Sequence, residues 1–216
     1  MNNQRRAFVK FGLAGVAVVA GLRESLKISP HEWNEKVTRK LFGARGLTPT
    51  FPQDRAKEPR PNGNVGLENE VADWQLKIVD PGGARAMSLL QLQALPAVAM
   101  TTELMCVEGW SEVVSWKGTL LRNIAPANAP KYVSLRTPDE SYYVGLDLES
   151  ALHPQTLLAW EMNGQPLTSE HGAPLRLVIP VKYGIKNIKR IGTIQFTARR
   201  PQDYWNERGY DWYAGL

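Results

Sequence analysis

Cys106 is the single cysteine of this chain of 216 residues, so neither an intrachain disulfide nor a CxxC metal site can form. A thiolate is a soft ligand for a thiophilic metal, and one protein thiolate is enough when a cofactor supplies the other sulfurs. A lone cysteine, however, is more often an inert buried residue. The residue type alone therefore leaves both interpretations open.

A second segment, residues 171–191, carries groups suited to an anionic ligand. Gly172 permits a tight backbone, and Arg176 offers a planar fork to a phosphate or a ring carbonyl. Residues 186–189 could supply backbone amides and ammonium groups to a terminal phosphate. Taken without other information, these basic residues would form a solvated strand face and His171 would be a loop histidine.

The sequence around Cys106 reads Cys-Val-Glu-Gly-Trp, followed by Trp116 and Gly118. It resembles the molybdenum-ligating segment of the sulfite-oxidase-like molybdopterin-binding oxidoreductases, and most closely the Cys-Val-Glu-Ala-Trp pattern of the periplasmic, molybdenum-type methionine-sulfoxide reductase catalytic subunits. Residues 171–191 resemble the pterin-binding stretch of the same family. The resemblance runs from about Asn62 to Arg199 and implies a sulfite-oxidase fold, a molybdenum–molybdopterin cofactor and Cys106 as its catalytic metal ligand.

The resemblance also implies further cofactor contacts. Thr137 falls where the family has a threonine near the pterin, although it could equally cap a turn beside Pro138. Asn62 matches an asparagine before the first strand, although Asn-Gly is also a general turn signal. Val65 and Gly66 would contact the cofactor through their main chain. The implied cofactor-binding residues are Asn62, Val65, Gly66, Cys106, Thr137, His171, Arg176, Asn187, Ile188 and Lys189.

The implied reaction is a two-electron transfer of an oxygen atom to or from a small sulfur- or nitrogen-containing substrate, for example a sulfoxide. His171 does not decide the subgroup, because the methionine-sulfoxide reductases have Asn there and the sulfite oxidases have His. Sulfite oxidases carry an arginine-rich stretch after the cysteine, whereas Glu108 and Glu112 follow here. Sulfite is therefore a poor candidate substrate.

Partners follow from what the sequence contains. There is no CxxCH haem site and no set of cluster cysteines, so electrons require a separate redox partner, such as a membrane cytochrome b or a soluble cytochrome. Few residues follow the last predicted strand, which leaves no room for the dimerisation domain of sulfite oxidases, and we expect a monomeric catalytic subunit. The net charge is +5, but the basic residues are scattered, so we expect no nucleic-acid partner.

The first residues predict export. The segment QRRAFVK, residues 4–10, precedes an apolar stretch from Phe11 to Leu22 and resembles a twin-arginine signal. A membrane span needs about twenty residues, so this stretch is short for one. No clear A-x-A cleavage site follows. We therefore expect a periplasmic protein that uses the twin-arginine translocase and could keep residues 1–28 as an anchor, with a basic amphipathic start as the alternative.

The elements that must position these residues are mostly strands. Ser29 to Glu32 reads as a capping box for a helix from about Pro30 to Phe42, followed by an extended loop, and Ser88 with Gln91 caps another short helix. We expect a strand at residues 74–78 with a turn at 80–83, strands near residues 98–107, 132–136, 157–162, 175–179 and 188–197, and short helices near 119–124 and 148–152. Asn163-Gly164 predicts a tight turn between two of these strands. The pattern predicts an α+β, β-rich mixed single domain over residues 62–216, after a helix and linker at 29–61.

Two other functions stay open at this level. One is an exported, non-enzymatic module on the same fold that binds a ligand or a protein, with Cys106 simply buried. The other is an enzyme with a nucleophilic thiol, which would need His31, His153 or His171 beside it. The carboxy-terminal aromatic residues could cover a substrate funnel or a partner, but sealing the core is their commoner use; they are Tyr204, Trp205, Tyr210, Trp212 and Tyr213.

Overall fold

The computed structural model describes residues 37, 40, 46–68 and 72–216. Its strands are β1 (Leu76–Asp80), β2 (Gly83–Met87), β3 (Ala97–Met105), β4 (Ser111–Leu120), β5 (Tyr132–Arg136), β6 (Tyr143–Asp147), β7 (Leu157–Met162), β8 (Gln165–Pro166), β9 (Arg176–Val178) and β10 (Thr193–Thr197). Its described α-helices are α1 (Leu89–Gln93) and α2 (Leu148–Ala151), and single 3₁₀ turns cover Gln53–Arg55, Leu121–Ile124, Gly184–Lys186 and Asn206–Arg208.

The strands form two five-stranded sheets. The first has the order β2-β1-β10-β5-β6, and the second has the order β3-β4-β7-β8 with β9 also paired to β7. Pairing is antiparallel except between β1 and β10, which run parallel. Mixed sheets with only short helices confirm the predicted α+β, β-rich class.

The main core lies between the two sheets. Ile78 and Leu135 of the first sheet share one apolar cluster with Leu158 and Leu177 of the second. On β7, successive side chains point to opposite faces, and Leu157 belongs to a second cluster with Val114 and Trp116. The second sheet is thus covered on both faces, which holds the loops at its strand ends in place.

Local signals placed several elements correctly. The Ser88 side chain accepts from the Gln91 amide, and the Gln91 side chain accepts from the Ser88 amide, so α1 begins with the predicted capping box. Asn163 and Gly164 have positive φ and turn β7 into β8.

Other expectations differ from the structure. The strand expected at 188–197 begins only at Thr193, because Arg190 has a positive φ and its amide donates to the Gly172 carbonyl, which bends residues 188–192 away from the sheet. The helix expected at 119–124 is a 3₁₀ turn at Leu121–Ile124 that follows β4 directly. Strands β2, β4, β6 and β8 were not predicted. The helix expected at Pro30–Phe42 falls almost wholly outside the described residues, and the export segment does so entirely.

The segment before the predicted domain lies against it. The Phe51 amide donates to the Thr101 carbonyl at 2.9 Å, and the Lys57 amide donates to the Val113 carbonyl at 2.9 Å. These contacts tie residues 51–57 to β3 and β4. Within the part of the chain that is described, no helix has the length and apolar content needed to cross a membrane.

Candidate active site

A cavity of about 390 Å³ opens where loops from both sheets meet. This volume is within the usual range of ligand pockets, about 300–1,000 Å³. The predicted site residues that line it are Asn62, Val65, Cys106, His171, Arg176, Asn187 and Lys189. Residues from four separate stretches of sequence therefore meet at one pocket.

Cys106 lies at the end of the β3–β4 hairpin. Its amide donates to the Trp110 carbonyl at 2.8 Å, and its carbonyl accepts from the Gly109 amide at 3.1 Å. Gly109 has a φ of +85°, a left-handed conformation that favours glycine. The tight loop leaves Cys106 half-buried, with its thiol at the pocket wall.

Asn62 and Glu108 lie beside the thiol. The Asn62 amide nitrogen is 3.7 Å from the Cys106 sulfur and donates to Glu108 Oε2 at 2.9 Å. The same carboxylate oxygen accepts from the Trp110 indole at 3.2 Å. Two hydrogen bonds therefore hold the Glu108 carboxylate at the pocket wall, and Asn62 links it to the thiol. The sequence indicated Glu108 as part of the cysteine motif and as a departure from the sulfite oxidases, but not these contacts.

Arg176 begins β9 and is fully buried. It donates to the His171 carbonyl at 3.1 Å and to the Asn187 carbonyl at 3.4 Å, and its guanidinium lies 4.7 Å from the centroid of the Trp116 ring. Burial lowers the pKa of Arg176 to about 10, so it stays cationic at neutral pH. Its Nε has no hydrogen-bond partner among the described residues. A buried donor without a partner is costly and is a reasonable point of attachment for a polar ligand.

His171 is buried and meets a residue from outside the predicted domain. Its Nε2 lies 3.1 Å from Oε1 of Glu58. Burial lowers the pKa of His171, the nearby Arg176 and Lys189 charges lower it further, and Glu58 raises it. The neutral imidazole is therefore favoured at neutral pH.

Lys189 and Asn187 hold the loop that faces the thiol. Lys189 Nζ donates to the carbonyls of Asn62 at 2.8 Å and Gly63 at 3.1 Å, and burial lowers its pKa to about 8. The Asn187 side chain accepts from the Ile179 amide at 2.8 Å and donates to the Tyr183 carbonyl at 3.2 Å. Both side chains shape the pocket wall through these bonds, in addition to any contact with a ligand.

The other three predicted contacts lie behind the lining. Gly66 packs directly on Thr137, because a Cβ at Gly66 would fall 2.4 Å from Thr137 Cγ2. The Thr137 hydroxyl donates to Asp139 at 2.6 Å and accepts from the Tyr142 amide at 3.1 Å. These bonds cap a turn, as in the alternative that the sequence allowed for Thr137. Ile188 is buried in the main core.

One side of the pocket is aromatic, a use that the sequence left open for the carboxy-terminal rings and did not indicate for Tyr142. Tyr142, Tyr204, Trp205 and Tyr210 line it, whereas Trp212 and Tyr213 are buried and seal the core. Aromatic density alone could not separate these two uses. The described residues contain no cluster of three or more His, Cys, Asp or Glu side chains suited to a metal ion. A metal here would need ligands from a cofactor, as the single thiol suggested.

Comparisons with known proteins bear on the family and the fold. The model of the oxidoreductase molybdopterin-binding domain matches residues 62–205. A putative protein-methionine-sulfoxide reductase subunit of Azospira oryzae is 34% identical, over 98% of this chain and 87% of that protein. A protein-methionine-sulfoxide reductase catalytic subunit of Xanthomonas campestris is 35% identical over 64% of this chain, and a Xanthomonas axonopodis relative is equally similar. The matched part spans about half the length, 49%, of the two Xanthomonas proteins.

A solved structure supports the fold. The sulfane dehydrogenase SoxCD of Paracoccus pantotrophus superposes with a TM-score of 0.57 at 20% identity, over 72% of this chain and 46% of that chain. The predicted sulfite-oxidase-like fold, oxidoreductase class and molybdenum–molybdopterin cofactor are confirmed. The chain belongs to the family of oxidoreductase molybdopterin-binding domains.

Proposed function

We propose that this chain is the catalytic part of a molybdenum-dependent reductase that removes the oxygen atom from a sulfoxide, with methionine sulfoxide as the first candidate. The observation that carries the proposal is that the thiol of Cys106 and the buried, incompletely bonded guanidinium of Arg176 line one pocket. The names of the three relatives support the choice of sulfoxide.

The residues present fit the cofactor. Cys106 would hold molybdenum through its thiolate, and Arg176 would donate its unpaired Nε–H to a polar atom of the pterin. The other predicted contacts, Asn62, Val65, Gly66, Thr137, His171, Asn187, Ile188 and Lys189, would line or support the pterin and its phosphate. When bound, the cofactor supplies two-electron redox chemistry and exchanges an oxygen atom with the substrate.

The protein's own contribution is to set the charge of the pocket and so to determine which substrates can enter it. Arg176 and Lys189 give the pocket a positive wall that suits an anionic cofactor. Glu108, held by Asn62 and Trp110, places negative charge beside the thiol and disfavours anionic substrates such as sulfite. A neutral sulfoxide suits this arrangement. Its reduction consumes two electrons and two protons and yields a thioether and water.

Electrons must come from another protein. The chain carries a single cysteine and no CxxCH haem site, and the names of the relatives describe subunits. We propose a membrane cytochrome b or a soluble cytochrome as the donor and a monomeric catalytic subunit as its acceptor.

Export through the twin-arginine translocase to the periplasm is part of the proposal, with residues 1–28 as a signal that could also anchor the protein. Replacing both Arg5 and Arg6 by lysine should trap the protein in the cytoplasm, as measured by cell fractionation. Periplasmic accumulation of the double variant would overturn the proposed route.

The function is tested by turnover. Protein purified from a host that makes molybdopterin should convert methionine sulfoxide to methionine with a reduced viologen as electron donor. Cys106→Ser should abolish turnover, whereas Ser111→Ala, whose hydroxyl points to Glu103 instead, should retain it. A molybdenum-loaded wild type that reduces no sulfoxide, or a Cys106→Ser variant with unchanged turnover, would overturn the proposal.

A further inference from the structure

We infer that the aromatic segment Tyr204–Tyr210, with Trp205 at its centre, is the wall that selects the substituent carried by the substrate's sulfur. Three rings of this segment, Tyr204, Trp205 and Tyr210, line the same pocket as the Cys106 thiol. The inference rests on the proposed function, because it assigns the substrate side of that site.

The rings form a continuous surface. The ring centroids of Tyr142 and Tyr204 are 5.0 Å apart, those of Tyr204 and Trp205 are 5.4 Å apart, and those of Trp205 and Tyr210 are 5.2 Å apart. The last two pairs are edge-to-face, an arrangement that stabilises aromatic pairs. Such a surface offers apolar contact area and ring faces to a thioether-like sulfur and its substituents.

The start of the segment is fixed by a buried ion pair. Asp203 Oδ2 accepts from Lys186 Nζ at 2.5 Å and from the Gly145 amide at 3.0 Å, while Oδ1 accepts from the Asn206 amide at 3.1 Å. Lys186 also donates to the Gly145 carbonyl at 3.0 Å. The aromatic segment is thereby tied both to the first sheet and to the loop that carries Asn187 and Lys189.

Two of the four rings are also held by polar contacts. The Arg208 guanidinium lies 3.5 Å from the centroid of the Tyr204 ring, and the Tyr142 hydroxyl donates to the Ile185 carbonyl at 2.7 Å. A wall that is fixed before a ligand arrives loses little side-chain entropy on binding. This favours a binding surface over a loose cover of the core.

The residues that suit the cofactor and those that suit the substrate come largely from different parts of the chain. Of the three cations that line the pocket, Arg176 and Lys189 come from the predicted pterin-binding stretch and Arg60 comes from the segment before β1. Its aromatic rings come mainly from the carboxy-terminal segment, together with Tyr142 and with Trp110 of the β3–β4 loop. A phosphate-bearing cofactor suits the first group and an uncharged, apolar substituent suits the second.

The apolar lining continues to the surface. Val65 is 38% exposed, Val107 is 36% exposed and Tyr210 is 42% exposed, and all three line the pocket. A substituent longer than a methyl group would therefore find apolar contacts beyond the thiol. The substrates that this wall favours are neutral sulfoxides with an aryl or a long aliphatic substituent, over dimethyl sulfoxide.

The test compares methyl phenyl sulfoxide with dimethyl sulfoxide on the holoenzyme. In Trp205→Ala, the ratio of kcat/KM for the aryl substrate to kcat/KM for dimethyl sulfoxide should fall about tenfold or more, mainly through KM, because lost apolar contacts in a pocket change selectivity by about 10–200-fold. Trp205→Phe should restore most of the ratio. Phe51→Leu, a ring outside the pocket, should leave it unchanged.

A binding measurement removes the dependence on turnover. Methyl phenyl sulfone, which lacks the reducible sulfoxide, should bind the wild type in calorimetry and bind Trp205→Ala about tenfold more weakly. If Trp205→Ala fails to fold, Tyr210→Ala provides the same comparison at an exposed position.

An unchanged selectivity ratio together with unchanged sulfone binding in these variants would overturn the inference. The two proposals fail differently. A wild type that reduces no sulfoxide but loses sulfone binding on Trp205→Ala contradicts the reductase function and supports the wall.

Discussion

Arg176 combines complete burial with an incomplete set of hydrogen bonds, which is why we assign it to the cofactor. Two of its donors satisfy the carbonyls of His171 and Asn187, and its plane lies over Trp116. A lysine would keep the charge but could not reproduce the fork. The side chain therefore has a structural function in addition to the ligand-binding function that we propose for it.

Arg176→Lys should lower the free energy of unfolding by about 1.5–3 kcal/mol, the usual contribution of a hydrogen bond to a charged group. It should also lower the molybdenum content of the purified protein. Urea denaturation and metal analysis measure the two effects. Arg122→Lys, an exposed position, should stay within about 0.5 kcal/mol of wild type. Full molybdenum content and unchanged stability in Arg176→Lys would contradict this account.

His171 predicts a dependence on pH. Burial lowers its pKa from 6.5, so the unfolded chain binds a proton at a pH where the folded protein does not. Neutral His171 therefore stabilises the folded protein fully above about pH 6.5. This stabilisation is lost as the pH falls through the lowered pKa that His171 has in the folded state. Between about pH 7.5 and pH 5, the Tm of cofactor-free wild type should fall more than that of His171→Asn.

Glu58→Gln provides the control for this prediction. The carboxylate raises the pKa of His171, so its removal should lower that pKa further, as measured by NMR titration of the imidazole. An equal fall of Tm in wild type and His171→Asn, or a rise of the pKa in Glu58→Gln, would show that the charge around His171 is wrongly assigned.

At the scale of elements, the site depends on close approaches between loops. Gly172 has a φ of +96°, and a Cβ there would lie 2.7 Å from Lys189 Cβ and 3.0 Å from the Arg190 amide. The two ends of the predicted pterin-binding stretch therefore touch at this glycine. The tight backbone at Gly172 was predicted from the sequence, but its contact with Lys189 was not.

Gly172→Ala should destabilise the protein by about 1–3 kcal/mol more than Gly164→Ala, because an added methyl group must push backbone aside only at position 172. Gly164 has a similar positive φ, of +78°, and open space around it. Thermal denaturation of both variants measures the difference. Equal losses would mean that the contact between Gly172 and Lys189 is not tight in solution.

The buried pair of Lys186 and Asp203 joins two elements of the pocket, the Gly184–Lys186 turn and the aromatic segment. Lys186→Met should lower the free energy of unfolding by about 3–5 kcal/mol, because it leaves a buried carboxylate unpaired. The double variant with Asp203→Asn should lose less than the sum of the single losses.

The control for this pair is the more exposed one of Lys117 and Glu161, at 2.8 Å. Lys117→Met should change stability by only about 0–1 kcal/mol. If Lys186→Met loses no more than Lys117→Met in urea denaturation, the pair does not hold the aromatic segment.

Local patterns predicted elements and site residues to different extents. The Ser88 capping box, the Asn163-Gly164 turn and the strand at residues 132–136 depend on neighbouring residues, so the sequence predicted them well. Strand β4 was missed because its Trp116 and Gly118 were interpreted only as part of a motif. The contact between Glu58 and His171 joins residues 113 apart in sequence, and no local pattern carries such a contact.

At the scale of the whole molecule, the pocket is lined by loops of both sheets and by segments that lie before and after their strands. The β3–β4 loop supplies the thiol, the loops around β9 supply two of the three cations, and the carboxy-terminal segment supplies most of the rings. The segment at 58–67 is bonded to the predicted pterin-binding stretch at three points. Glu58 contacts His171, and the Asn62 carbonyl accepts from Lys189. Arg190 donates to the Leu67 carbonyl at 3.0 Å. Glu58 lies just before the family match, which begins at residue 62.

The central claim is that Cys106 holds a molybdenum cofactor in this pocket, and metal analysis tests it most directly. Wild type and Ser111→Ala, purified from a host that makes molybdopterin, should each contain about one molybdenum per chain, and folded Cys106→Ser should contain about none, because the thiolate is the proposed protein ligand. Circular dichroism should confirm that all three proteins are folded. Molybdenum retained at the wild-type level in Cys106→Ser, or absent from the folded wild type, would contradict the account.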